Sequence, residues 1–138
     1  MSKTVEHLMS SHEVTIACNE TLLHAAQLMK QHDVGFLPVM DGERIIGVIT
    51  DRDLVIRAIA EQKDMLDEVQ KVCTEKIVHI EPEAMLDEAA EKMSRNQVRR
   101  LVVSKNGKLH GIITLADLAR EKQSDHAAGH ALSGISQR

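Results

Sequence analysis

The string GVITDRDL at residues 47–54 returns as GIITLADL at residues 111–118, 64 positions later. Sliding the chain on itself by that interval aligns 5–57 with 69–121 without a gap, and 15 of the 53 aligned positions are identical. The identities run the whole length, from Val5 with Val69 through Val14 with Val78, Ile16 with Ile80, Met29 with Met93 and Leu37 with Leu101 to Leu54 with Leu118. A gapless match of this extent means two copies of one unit. A unit of roughly 55 residues has little core and would be marginal alone. The two copies are therefore expected to pack through their sheets, with pseudo-two-fold symmetry and a shared cleft. The boundaries read as repeat 1 at 1–62, repeat 2 at 63–122 and a flexible C-terminal tail at 123–138.

Each copy carries the same local signals. "EVTI" and "IVHI" are short β-rich runs that predict a first strand. Leu22, Ala25, Ala26 and Met29 recur at helical spacing, as do Leu86, Ala89, Ala90 and Met93, so a helix with one apolar stripe follows. Asn19 or Thr21 would cap the first of these helices. Two apolar runs then flank Asp41-Gly42 in one copy and Asn106-Gly107 in the other, the signal for a hairpin. The turn dipeptides are offset by one position, so the two loops should differ in detail. After Thr50 and Thr114 the period becomes helical again. A short helical turn precedes each unit, at "VEHLM" and "VQKVC". The fold class is α/β of the α+β type, two tandem β-α-β-β-α units.

Composition narrows the function. The net charge is −4, and the chain has no Trp, no Tyr and one Phe, Phe36. Nucleic acid is an unlikely partner for an acidic chain without aromatic platforms. No apolar run is long enough to span a membrane, and the first residues show no secretory h-region. Cys18 and Cys73 are not in a metal or redox spacing, so two free thiols in the cytoplasm is the plain expectation.

The repeated Thr-x-x-Asp admits two readings. In one, the Thr caps a helix and the Asp reaches back to the cap amide. In the other, the helix start offers amides and a hydroxyl to a phosphate, and the carboxylate accepts from two vicinal hydroxyls of a ribose. Gly47 and Gly111, without side chains, would admit either a ligand or a neighbouring strand at close range. The copies also differ. Where the first has Gly35-Phe36, the second has Arg99-Arg100. Those arginines suit phosphate by their bidentate fork or are solvated at a strand edge. Arg52, between Thr50 and Asp53, presents the same alternatives.

Two tandem units of this order, each ending in Gly-apolar-apolar-Thr-x-x-Asp, resemble CBS domains, and the pair resembles a Bateman module. "HDVGFLPVMDGERIIGVITDRDL" is especially similar to the first repeat of stand-alone bacterial CBS-pair proteins. The resemblance covers about residues 5 to 122. It implies binding of AMP, ADP or ATP, or else S-adenosylmethionine or NAD, in the cleft between repeats. Carried over, Thr50 and Asp53, and Thr114 and Asp117, would hold ribose. Val14, Ile16, Val78 and Ile80 would hold adenine, and Arg99 and Arg100 would meet phosphate, serving the site that uses Asp53. Val102 departs from the proline seen at Pro38 and, with Gly35-Phe36, makes the two sites unequal.

The remaining constellations are bland. His126 and His130 lie four apart in a small, polar tail, and the other histidines are scattered. No nucleophile-and-base spacing or Walker-type loop is present, so the chain is read as a non-enzyme without a required cofactor. With no effector domain read in this sequence, either a separate effector protein is regulated or the chain buffers or reports a nucleotide. Leu54, Val55, Ile56, Ala58 and Ile59 form an apolar surface too wide for one internal face, which predicts a homodimer. Two other classes compete: a structural module in which both Thr-x-x-Asp strings only cap helices, and a metal or redox sensor built on the cysteines and histidines.

Overall fold

The structure is a computed structural model that describes residues 3–10 and 14–125. His126, His130 and most of the expected tail lie outside the described residues. The elements in chain order are α1 (Val5–Leu8), β1 (Ile16–Ala17), α2 (Leu22–His32), β2 (Phe36–Asp41), β3 (Arg44–Thr50) and α3 (Asp51–Asp53). Next come β4 (His79–Ile80), α4 (Leu86–Asn96), β5 (Arg100–Lys105), β6 (Lys108–Thr114) and α5 (Leu115–Asp125). Each copy is thus strand, helix, strand, strand, helix, in a mixed α/β fold.

Two compact units emerge, and they do not follow chain order. The first gathers 14–77 with 107–109; the second gathers 3–10, 78–106 and 110–125. Each unit therefore includes the short helical turn that precedes the other copy in sequence. Val5 is fully buried in the second unit's core with Ile80, Ala89, Met93, Leu101, Val103 and Ile113. Its repeat-mate Val69 is fully buried in the first unit's core with Ile16, Ala25, Met29, Leu37, Val39 and Ile49. Backbone hydrogen bonds fix these segments: Val5 N–H to Ala84 O at 2.8 Å in the second unit, and Val69 N–H to Glu20 O at 2.8 Å in the first.

Within the first unit, β1 pairs parallel with β2 and β2 antiparallel with β3; β4 pairs parallel with β5 in the second. The first strands are shorter than "EVTI" and "IVHI" suggested: two residues of each stand in register with the neighbouring strand, with single backbone bonds beyond them, Cys18 N–H to Met40 O at 2.8 Å and Val102 N–H to Val78 O at 3.1 Å. The apolar stripes of α2 and α4 bury Ala25 with Met29 and Ala89 with Met93, but Ala26 and Ala90 are exposed. The stripe is one residue narrower than its spacing suggests. Thr21, not Asn19, caps α2, its Oγ1 accepting from His24 N–H at 3.0 Å. The hairpin turns occupy matching positions, Gly42-Glu43 and Asn106-Gly107. Both central residues of the second have positive φ, at 56° and 81°, whereas in the first only Gly42 does, at 64°. The loops differ as expected: a I′-type turn needs two such residues.

The helix that begins at Asp51 does not stay α-helical. It runs on as a π-helix over Leu54–Ile59, with Ala60 N–H bonded to Val55 O at 2.9 Å. π-helical geometry is rare and concentrates at functional places. Ala58 is its buried residue, while Val55, Ile56 and Ile59 are 53%, 47% and 70% exposed.

Candidate functional site

The two Thr-x-x-Asp strings fold into the same local structure. Thr50 leaves β3 in an extended conformation and starts α3; its Oγ1 accepts from Asp53 N–H at 3.1 Å, and Asp53 Oδ2 accepts from Thr50 N–H at 3.0 Å. At the start of α5, Thr114 Oγ1 accepts from Asp117 N–H at 3.1 Å, and Asp117 Oδ2 accepts from Thr114 N–H at 2.9 Å. Both are complete reciprocal capping boxes with Asp in place of the more usual Glu. The carboxylates are largely enclosed, with side chains 13% and 16% exposed. Each has one oxygen committed to the cap and one, Oδ1, left for other work.

That second oxygen meets different surroundings. Asp117 Oδ1 accepts from Arg120 Nη2 one turn along α5. Asp53 Oδ1 lies 3.9 Å from Arg57 Nη1, which instead donates toward Cys73 O at 3.4 Å and Thr74 Oγ1 at 3.3 Å. Beside Asp117 the second unit has an open groove of about 510 Å³, lined by Lys3, His7, Leu8, Asp117, Arg120 and Glu121. Lys3 Nζ pairs with Glu121 Oε2 at 2.8 Å across it. His7 Nδ1 accepts from Thr4 N–H at 3.1 Å, so its ring proton sits on Nε2. The groove is thus a mixed patch of cations, carboxylates and one apolar side chain, of a size that ordinary small-molecule sites have. Lys3, His7 and Arg120 were not among the candidates read from the sequence. Nothing in the order of residues shows that the first turn of the chain belongs with α5.

The other candidates sort as follows. Gly47 and Gly111 serve the close approach of neighbouring chain. A Cβ on Gly47 would stand 2.7 Å from Thr74 O, and one on Gly111 2.4 Å from Ser10 O. The crossing segments are held there by paired backbone bonds, Val48 with Thr74 and Ser10 with Ile112. Of the two readings of these glycines, the close approach of neighbouring chain is the one these contacts show. Ile16 and Ile80 are core residues at 3% and 6% exposure, each enclosed by its own unit. Val14 and Val78, half-buried, pack against the two cores from outside. Arg52, Arg99 and Arg100 are exposed. The Arg99 carbonyl accepts from Leu115 N–H at 2.8 Å, which ties that position to the helix start bearing Asp117. Its repeat-mate Gly35 does the same for Asp51 N–H at 3.0 Å, and a Cβ there would stand 2.7 Å from Asp51 Oδ2. The Gly-Phe and Arg-Arg difference thus follows partly from Asp51 standing where the second copy has Leu115.

Cys18 and Cys73 are free thiols. Burial pushes the Cys73 thiol up, Glu75 and Asp53 push the same way, and Arg57 opposes. His79 and His110 are exposed. Among the described residues no group of three or more His, Cys, Asp and Glu side chains is placed to hold a metal ion. Among them, too, no helix is long and apolar enough to cross a membrane.

Comparison with known proteins agrees with this arrangement. The CBS domain model matches residues 5–59 and 69–124. The CBS domain-containing protein YhcV of Bacillus subtilis is 37% identical over 133 residues, which is 96% of this chain and 95% of that protein. Hypoxic response protein 1 of Mycobacterium tuberculosis is 34% identical over 131 residues, 94% of this chain and 88% of that protein. A crystal structure of Hypoxic Response Protein I with two coordinated zinc ions matches with a TM-score of 0.79 at 34% identity, covering 86% of this chain and 98% of that one. The CBS domain pair of protein MJ0100, solved with 5′-methylthioadenosine and S-adenosyl-L-methionine, shares the fold with a TM-score of 0.78 at 23% identity, covering 91% and 99%. With two matched repeats that each end in a capped Thr-x-x-Asp, this chain belongs to the CBS domain family, as a tandem pair of CBS repeats.

Proposed function

We propose that the chain, with repeats at 1–62 and 63–122, is a regulatory module that binds an adenosine-containing ligand of the AMP, ADP or ATP kind at its Thr-x-x-Asp helix starts. The observation that carries this reading is Asp117, a largely enclosed carboxylate at the wall of a groove with three basic side chains. A carboxylate for vicinal hydroxyls beside cations for phosphate is the pairing a nucleotide asks for. Thr114 and Asp117, and in the first unit Thr50 and Asp53, would hold ribose; Val14 and Val78 offer apolar surface to adenine; Arg99, Arg100 and Arg52 offer charge to phosphate. The CBS pair of MJ0100 holds adenosyl ligands on the same fold, which supports S-adenosylmethionine as a further ligand to test, along with NAD. The module acts without catalysis of its own, in the cytoplasm, as a homodimer that regulates a separate effector protein.

A thermal-shift panel of adenosine, AMP, ADP, ATP, NAD, S-adenosylmethionine and Zn²⁺ tests it. A ligand at a hundred times its dissociation constant adds about 2.7 kcal/mol of stability. Replacing Arg99 and Arg100 by Ala should then cut the response to AMP by about 1.5–3 kcal/mol per lost charged hydrogen bond and leave that to adenosine. Silence from every adenosyl compound would overturn the proposal. The second reading, a purely structural module, draws on the completeness of both capping boxes; it predicts that silence.

A further inference from the structure

We infer that Arg120 is a phosphate-operated latch on Asp117. A nucleotide phosphate entering the groove between α1 and α5 takes the Arg120 guanidinium, and the released Asp117 Oδ1 turns to the ribose hydroxyls. This rests on the adenosine reading above and adds the way the groove would tell a phosphorylated ligand from a bare nucleoside.

The argument starts from the two oxygens of Asp117. Oδ2 is held by Thr114 N–H at 2.9 Å and cannot leave without uncapping α5. Oδ1 is held by Arg120 Nη2. Oδ1 keeps a second lone pair beside Arg120, but a bound guanidinium draws charge from that oxygen and crowds it, so Asp117 serves ribose best when Arg120 has another partner. Arg120 is well placed to change partner: its side chain lines the groove and is 69% exposed, although the carboxylate it holds is only 16% exposed. A phosphate offers its guanidinium two oxygens at the spacing of its fork, a stronger engagement than one carboxylate oxygen. The opposite wall adds Lys3, now paired with Glu121 at 2.8 Å, and the Nε2–H of His7, whose Nδ1 is occupied by Thr4 N–H. The anion would therefore meet a guanidinium, an ammonium and an imidazole N–H in a groove of about 510 Å³.

The first unit lacks this device. The repeat-mate of Arg120 is Ile56, and that of Glu121 is Arg57. Arg57 faces Cys73 O and Thr74 Oγ1 and stands 3.9 Å from Asp53 Oδ1. Arg57 is thus not in hydrogen-bond contact with Asp53 as Arg120 is with Asp117.

Calorimetric titration of adenosine and AMP into the wild type, Arg120→Gln and Lys3→Gln tests the latch. The wild type should prefer AMP. Arg120→Gln should weaken AMP by roughly tenfold to a hundredfold, the scale of one charge-assisted hydrogen bond, and leave adenosine unchanged or tighter, because Oδ1 is then released permanently. Lys3→Gln should weaken AMP by a smaller factor. Should Arg120→Gln melt early, Arg120→Lys keeps the charge without the fork and should show an intermediate loss of AMP preference. Equal affinity of the wild type for both compounds, an AMP preference left undiminished by Arg120→Gln, or equal loss of both compounds would overturn the latch while adenosine binding still stands. Failure of the wild type to bind either compound would overturn the adenosine reading and the latch together.

Discussion

The helix starts at Thr50 and Thr114 use the same four atoms in the same way, yet the helices that follow them diverge within one turn. After Asp117 the chain stays α-helical to Asp125 and brings Arg120 back onto the carboxylate. After Asp53 it widens into a π-helix, and the position of Arg120 is taken by Ile56, 47% exposed beside Val55 and Ile59. One copy has turned the outer face of its helix start toward charge, the other toward apolar contact. A duplicated unit keeps what its backbone needs, here the cap and the glycine before it, and is free to vary what its surface does.

The glycines break this comparison most severely if it is wrong. Gly111→Ala should cost about 3 kcal/mol, at the upper end for overpacking a rigid site, because Ser10 O and Met9 Sδ stand 2.4 and 2.9 Å from the new Cβ. Gly47→Ala should cost less, with Thr74 O at 2.7 Å. Chemical denaturation of both variants checks the order. Equal, small losses would mean that the crossing segments at Ser10 and Thr74 are loosely held.

Val5→Ala and Val69→Ala come next, at about 2 kcal/mol each for losing fully buried methyl groups. Equal losses would show that each leading turn belongs to its unit's core. A negligible loss for Val5 alone would detach α1 from the second unit and undo the groove wall that Lys3 and His7 supply.

The apolar face of the π-helix sharpens the comparison from the other side. Light scattering should give a dimer mass for the wild type and a monomer for Ile59→Asp, since Ile59 is 70% exposed. A monomeric wild type would remove the reason offered for that face. The smallest effect concerns Cys73. With its thiol raised above the ordinary range by burial, it stays protonated at neutral pH and should alkylate only as the chain opens. Fast labelling of the native chain would show that the first core is breached.

Much of this was legible in the sequence, because repetition doubles each signal. Leu37 and Leu101, Met29 and Met93, and the Asn106-Gly107 turn appear as expected from apolar spacing and turn residues, whereas the first turn sits at Gly42-Glu43, one residue beyond Asp41-Gly42. Thr50 with Asp53 and Thr114 with Asp117 could be read as capping boxes from spacing alone. Burial partners were not legible. Val5 and Val69 read as apolar, but no pattern states that each packs with the other copy's strands. Arg120 was invisible for the same reason: its meaning depends on Lys3 and His7, more than a hundred positions away in sequence. Gly47 and Gly111 carried two meanings until Thr74 O and Ser10 O were seen above them.

The most direct test of the central claim, that the repeated carboxylate both caps a helix and holds a ligand, is the melting of Asp53→Ala and Asp117→Ala with and without AMP. Loss of the cap should cost each variant about 0.5–2 kcal/mol without ligand. The account predicts that Asp117→Ala also loses most of the AMP-dependent stabilisation, about 2.7 kcal/mol at a hundredfold excess over the dissociation constant, and that Asp53→Ala loses less. Retention of the full AMP-dependent shift in both variants would contradict it and leave Thr-x-x-Asp as architecture alone.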